Sequence, residues 1–115
     1  MYKRILVWVP VFLYMAFIFY LSSQPALPGV SAPPFPHYDK VVHMIMFAVL
    51  SLLFFGAGRY EGMRYPYFYA IIFTILYGIS DEFHQAFVPG RTPDVFDAIA
   101  DSIGSLFVLL WKAKK

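Results

Sequence analysis

Charged side chains fall in short clusters along this chain, separated by long apolar stretches: residues 5–38, 41–58 and 65–80 contain no Asp, Glu, Lys or Arg. A helix needs about 20 mostly apolar residues, and no fewer than about 17, to cross the hydrocarbon of a bilayer. Residues 5–21, 41–58, 66–85 and 93–111 therefore read as four spanning helices. The fourth departs from the pattern, because Asp94, Asp97 and Asp101 occupy its first half. The predicted fold is all-α, a single integral membrane domain over residues 1–115 arranged as a four-helix bundle.

The connections carry their own signals. Pro25, Pro28, Pro33, Pro34 and Pro36 forbid a continuous helix over 22–38, which reads as an extended proline-rich loop. Residues 59–64 form a polar turn, and Pro89-Gly90 punctuates a second turn at 86–91. Asp39 is placed to cap the second span, and Thr92 to cap the fourth with Pro93 at its first position. Pro10 lies inside the first span, where it favours a kink. The basic start followed by an apolar run also fits a signal peptide. The 17-residue run is long for one, however, and SSQPALPG after it lacks a clean small-x-small site, so an uncleaved span is preferred.

Composition narrows the class. Of the 115 residues 60% are hydrophobic and 14% charged, against about 25% charged in a soluble domain. There is no cysteine, which excludes disulfides and thiolate metal sites. A net charge of +2 is too small for a nucleic-acid partner. Placement of the basic residues sets the orientation. With four spans, Lys3, Arg4, Arg59, Arg64, Lys112, Lys114 and Lys115 lie on one side and Lys40 and Arg91 on the other. That asymmetry predicts both termini in the cytoplasm. Every carboxylate but Glu61 then falls in the outer half of the membrane, together with all three histidines.

The stretch 77–101 holds five of the seven carboxylates. Ionisable groups within membrane segments are costly and point to a functional site. Asp94, Asp97 and Asp101, at i, i+3 and i+7, fall within an arc of about 60° and form one acidic stripe. A helix cap accounts for Asp94 but not for Asp101, nine residues past the Thr92 cap and so about 13 Å deeper along the axis. Asp81, His84 and Gln85 share a face of the third span, with Glu82 on its flank, and Asp39 and His43 are i, i+4 on the second. Arg91 supplies a planar counter-charge for a carboxylate or phosphate. Of these, His43, Asp81, Glu82, His84, Gln85, Arg91, Asp97 and Asp101 are expected to converge in one pocket at the outer face. A purely structural network of ion pairs is the competing expectation.

The motifs FYLSSQP (19–25), DKVVH (39–43), YGISDEFHQAFVPGR (77–91) and DVFDAIADSIG (94–104), in that order, resemble the VanZ-like membrane proteins over nearly the whole chain. The resemblance implies a small multi-pass protein of the bacterial cell inner membrane, related to one associated with resistance to the glycopeptide teicoplanin. It supplies a cell-envelope context but no reaction.

Two function classes follow. In the first, an enzyme acts on an amphiphilic envelope substrate such as a lipid-linked phosphate or cell-wall precursor. His43 or His84 is then general acid or base, Glu82 and Asp101 are its carboxylate partners, and Asp39, Asp81, Gln85, Arg91 and Asp97 bind the head group. His43, His84, Asp81 and Asp101 also match the ligand types of a divalent Zn²⁺ or Mn²⁺ ion, although no recognised spacing such as HExxH is present. Ser22 and Ser23 are the candidates for a nucleophile. In the second class the same groups bind a lipid, peptide, drug or partner protein without chemistry. A transporter is a third option, for which four short spans leave little room.

Overall fold

A computed structural model describes residues 2–23, 38–89 and 94–113. The described residues form five helices and no strand: α1 (Tyr2–Ser22), α2 (Tyr38–Tyr60), α3 (Pro66–Gln85), α4 (Val95–Ser105) and α5 (Val108–Ala113). The segment 24–37, which holds the prolines of the expected loop, lies outside the described residues, as do Arg91, Thr92 and the side chain of Asp39.

Helix bounds follow local chemistry. Pro66 opens α3, where a missing N–H costs nothing. Pro10 is accommodated within α1. The turn between α2 and α3 places Gly62 at φ +83°, a left-handed conformation that glycine adopts without steric cost. The cap of α4 corrects the expectation for Thr92. Asp94 is the N-cap, its Oδ1 accepting from the Phe96 N–H at 2.9 Å, so the helix begins at Val95 and Pro93 precedes the cap. Expected loop residues at both ends of 22–38 are helical, Ser22 closing α1 and Tyr38 opening α2.

The fourth expected span is not one continuous helix. It breaks at Leu106–Phe107, where N–H groups turn back to carbonyls three residues earlier, Leu106 to Ile103 and Phe107 to Gly104. The Ser105 carbonyl would accept from Leu109 in a continuous helix. Instead Ser51 on α2 donates to it at 2.9 Å, and Leu109 bonds to Leu106. Two helices are long and apolar enough to cross a membrane, over Lys3–Ser22 and Lys40–Tyr60.

Polarity is distributed inside out relative to a soluble bundle. Buried positions of α3 are Ala70, Thr74, Gly78, Asp81 and Gln85, and those of α4 are Asp97, Ala100, Asp101, Gly104 and Ser105. The exposed positions between them are large and apolar, including Ile72, Leu76, Phe83, Phe96 and Ile103. Small and polar residues inward with apolar residues outward suit a hydrocarbon surround. The apolar core, around Val11, Ile18, Phe47 and Leu50, is continued by a ladder of rings: Phe54 stacks on Phe73 at 4.8 Å and Phe73 on Tyr77 at 6.4 Å. The Tyr77 hydroxyl donates to the Met15 carbonyl at 2.7 Å and ties α3 to α1.

Pairs at the two ends show that the helices alternate in direction. Arg4, at the start of α1, meets Glu61 in the α2–α3 turn at 2.8 Å, and the guanidinium holds the Glu61 carboxyl below its ordinary range. At the opposite end, the last turns of α1 and α3 meet the first turns of α2 and α4. There the candidate groups lie.

Candidate functional site

Close approach of α2 and α4 sets the centre of the site. A Cβ on Gly104 would stand 2.2 Å from the Met44 carbonyl oxygen, so only glycine allows this backbone-to-backbone contact. One turn along, the same approach brings His43 against Asp101. Nδ1 of His43 is 2.8 Å from Asp101 Oδ1, and its Nε2 points toward Asp97 Oδ2 at 3.9 Å, beyond hydrogen-bond range. Gly78 on α3 makes room from the other side. A Cβ there would lie 2.9 Å from Asp101 Cβ and 3.0 Å from its Oδ2. Asp101 is fully buried, at 0% exposure.

Helix α3 adds Asp81, Glu82 and Gln85. Asp81 Oδ1 accepts a short hydrogen bond from the Ser22 hydroxyl at the end of α1. Gln85 Nε2 reaches both Ser22 Oγ and Asp81 Oδ2, at 3.4 and 3.5 Å. Glu82 Oε1 accepts the Asp94 backbone N–H at 2.9 Å, so α3 helps to hold the start of α4. The second oxygens of Glu82 and Asp101 are buried without a hydrogen-bond partner among the described residues. Such orphans are rare in folded proteins and ask for an explanation.

His84 is placed apart from this group. Its Nε2 is 2.9 Å from Ser23 Oγ and its ring stacks on Phe19 at 4.3 Å, facing α1. Of the four expected metal ligands, His43, Asp81 and Asp101 converge, while Glu82 stands where His84 was expected. One ligand atom from each of His43, Asp81, Glu82 and Asp101 lies within 4.8 Å of the other three.

Lys40 is a participant the sequence reading had counted only for topology. Its Nζ is 2.8 Å from Asp94 and 2.9 Å from Asp97, so it neutralises the outer part of the acidic stripe. The signal for it was available, since Lys40 precedes His43 by three residues and so shares its helix face. Ser22 was a candidate nucleophile, but its buried hydroxyl is committed to Asp81.

A groove of about 360 Å³ runs between α2 and α4, lined by Met44, Ile99, Ala100 and Ile103, and reaches Lys40 and Asp94 at its polar end. A larger hollow of about 630 Å³ lies on α1 near the Arg4–Glu61 pair, far from the histidine and its carboxylates. The first is the relevant one, because its lining includes Lys40 and Asp94 at the polar end of the bundle. Chemically, the arrangement offers an imidazole oriented by a carboxylate and two buried carboxylate oxygens with no hydrogen-bond partner among the described residues.

A family model described as VanZ/LLP1 matches residues 7–113. An uncharacterized protein of the yeast Schizosaccharomyces pombe is 33% identical over 91 residues, which cover 79% of this chain and 52% of that protein. The chain thus spans about half the length of that relative. No solved structure matches. Together with its two apolar spans and outward-facing apolar surface, the match over nearly its full length makes this chain a membrane protein of the VanZ/LLP1 family.

Proposed function

We propose that this protein is a multi-pass enzyme of the cell envelope whose polar site, at the outer face of the bacterial inner membrane, acts on the head group of an amphiphilic lipid. The carrying observation is the buried His43–Asp101 pair at 2.8 Å inside an apolar helical bundle; an apolar groove nearby, between α2 and α4, reaches Lys40 and Asp94. Imidazole both gives and takes a proton. With Nδ1 held by Asp101, Nε2 is the atom left to act as general acid or base. Lys40, which bridges Asp94 and Asp97, stands at the polar end of the groove. In this reading all four spans cross, α4 and α5 together forming the last, with both termini cytoplasmic by the basic asymmetry. A relative in a yeast supports a membrane lipid over a peptidoglycan precursor, because fungi make no peptidoglycan.

Binding without chemistry is the second reading, in which the Ser22–Asp81 and His43–Asp101 bonds only hold the helices together. The test compares wild type, Asp101→Asn and Glu61→Gln in a bacterial host, with membrane abundance, lipid composition by mass spectrometry and teicoplanin susceptibility measured together. Wild type and Glu61→Gln are expected to alter one lipid class, and Asp101→Asn at equal abundance to leave it unchanged. A teicoplanin phenotype with no lipid altered would favour binding. Full activity of Asp101→Asn at full abundance would remove the site, and parallel loss of abundance and activity would make Asp101 structural.

A further inference from the structure

The charge inventory at this end of the bundle is uneven. Lys40 offsets Asp94 and Asp97. Behind them, Asp81, Glu82 and Asp101 gather around a single imidazole, Asp81 and Asp101 buried and Glu82 partly so. Three carboxylates in a medium of low dielectric repel one another strongly. Among the described residues no Lys or Arg is paired with Glu82 or Asp101.

Each carboxylate at its heart is also held in a particular way. Asp101 uses Oδ1 on His43, and Glu82 uses Oε1 on the Asp94 N–H. Their other oxygens, Asp101 Oδ2 and Glu82 Oε2, are buried and unpartnered. Asp81 is steadied by Ser22 and Gln85. Glu82 has one oxygen fixed by a group outside the set and the other left open, which is how outer groups orient a metal-binding carboxylate, whereas the His43–Asp101 contact is between two members of the set. The space is right as well. Metal–ligand bonds of about 2.0–2.2 Å put two ligands of one ion no more than about 4.4 Å apart. The four ligand atoms here lie within 4.8 Å of one another, close to that limit. Gly78, whose Cβ would intrude on Asp101 Oδ2, keeps that oxygen's position open.

We infer that His43, Asp81, Glu82 and Asp101 bind one divalent metal ion. One nitrogen and three carboxylates form a hard, oxygen-rich set that suits Mn²⁺ or Zn²⁺ over softer ions. The formal charge of the three ionised acids is then largely compensated, and the orphaned oxygens acquire a partner. The inference rests on the same site as the proposed function but changes one role within it: with an ion bound, His43 is a ligand, and the metal supplies the Lewis acid facing a head-group oxygen.

The test uses the full chain purified in detergent, stripped with EDTA and then titrated with Mn²⁺, following the loss of the free-ion electron paramagnetic resonance signal. Zn²⁺ and Mg²⁺ serve as competitors. Wild type and Glu61→Gln are expected to bind one Mn²⁺ per chain, and Asp101→Asn and His43→Gln to bind it at least about tenfold more weakly. Broadening of the His43 ring resonances by substoichiometric Mn²⁺ in the wild-type chain gives a readout that needs no variant. Absence of saturable Mn²⁺ or Zn²⁺ binding by wild type, or undiminished binding by a folded Asp101→Asn, overturns the inference. Lipid turnover that survives EDTA would overturn it while sparing the proposed function. Stoichiometric metal binding without any lipid altered would do the reverse.

Discussion

Replacing Gly104 by alanine tests the contact on which the site is built. The new Cβ would stand 2.2 Å from the Met44 oxygen, 3.0 Å from its carbonyl carbon and 3.2 Å from the Ala48 nitrogen, where real Cβ atoms stay beyond 3.0 Å. All three atoms are backbone, so no rotamer relieves the overlap, and α2 and α4 must part by about 0.8 Å. Overpacking of this kind costs about 1–3 kcal/mol. Alanine also gains about 1 kcal/mol of helix propensity over glycine, which would blur the result. Gly56 on the same bundle supplies the reference, since it is helical and exposed and has nothing within 4 Å of its Cβ position. The propensity gain cancels between Gly104→Ala and Gly56→Ala. The first should therefore be less stable than the second by the packing term alone, about 1–3 kcal/mol, in reversible unfolding of both in one detergent. Parting the helices also stretches the 2.8 Å His43–Asp101 bond past hydrogen-bond range, which the ¹⁵N shifts of the His43 ring report. Equal stability of the two variants, or unchanged His43 shifts in Gly104→Ala, would refute the close approach and the site geometry derived from it.

Gly78→Ala should press on Asp101 directly, since its Cβ would lie 2.9 Å from Asp101 Cβ. A loss of about 1–3 kcal/mol and weaker Mn²⁺ binding than wild type are expected, and an alanine variant unchanged in both would contradict the packing. Lys40→Met leaves Asp94 and Asp97 without the cation at 2.8 and 2.9 Å. Because Lys40 and Asp94 keep 20% and 37% exposure, the cost should be about 1–3 kcal/mol rather than that of a fully buried pair, with Lys40→Arg recovering most of it in the same unfolding assay. A reporter active only outside the cytoplasm, fused after Lys115, should stay silent; a signal from it would exclude four spans with cytoplasmic termini.

Periodicity and charge placement alone determined that the chain is helical, where the helices lie and which residues share a face. Those are properties of one helix at a time, and α3 at Pro66–Gln85 needed no neighbour to be read. The acidic stripe of α4 was equally legible, because i, i+3 and i+7 meet on any helix. What the sequence left open were relations between helices. The cap of α4 passed to Asp94 through a bond to its own Phe96 N–H, a choice between adjacent polar residues that propensity does not make. The break after Ser105 depends on Ser51 donating from α2, 54 positions away. Glu82 and His84 follow Asp81 by one and three residues and so lie on opposite flanks of it, and α1 draws His84 to Ser23 and Phe19, while the start of α4 orients Glu82. Which of two neighbouring side chains enters the cluster is therefore set by the rotation of α3 against α1 and α4. That rotation follows from where small residues let backbones touch, as Gly104 does at Met44 and Gly78 at Asp101, and such contacts exist only once the helices are packed.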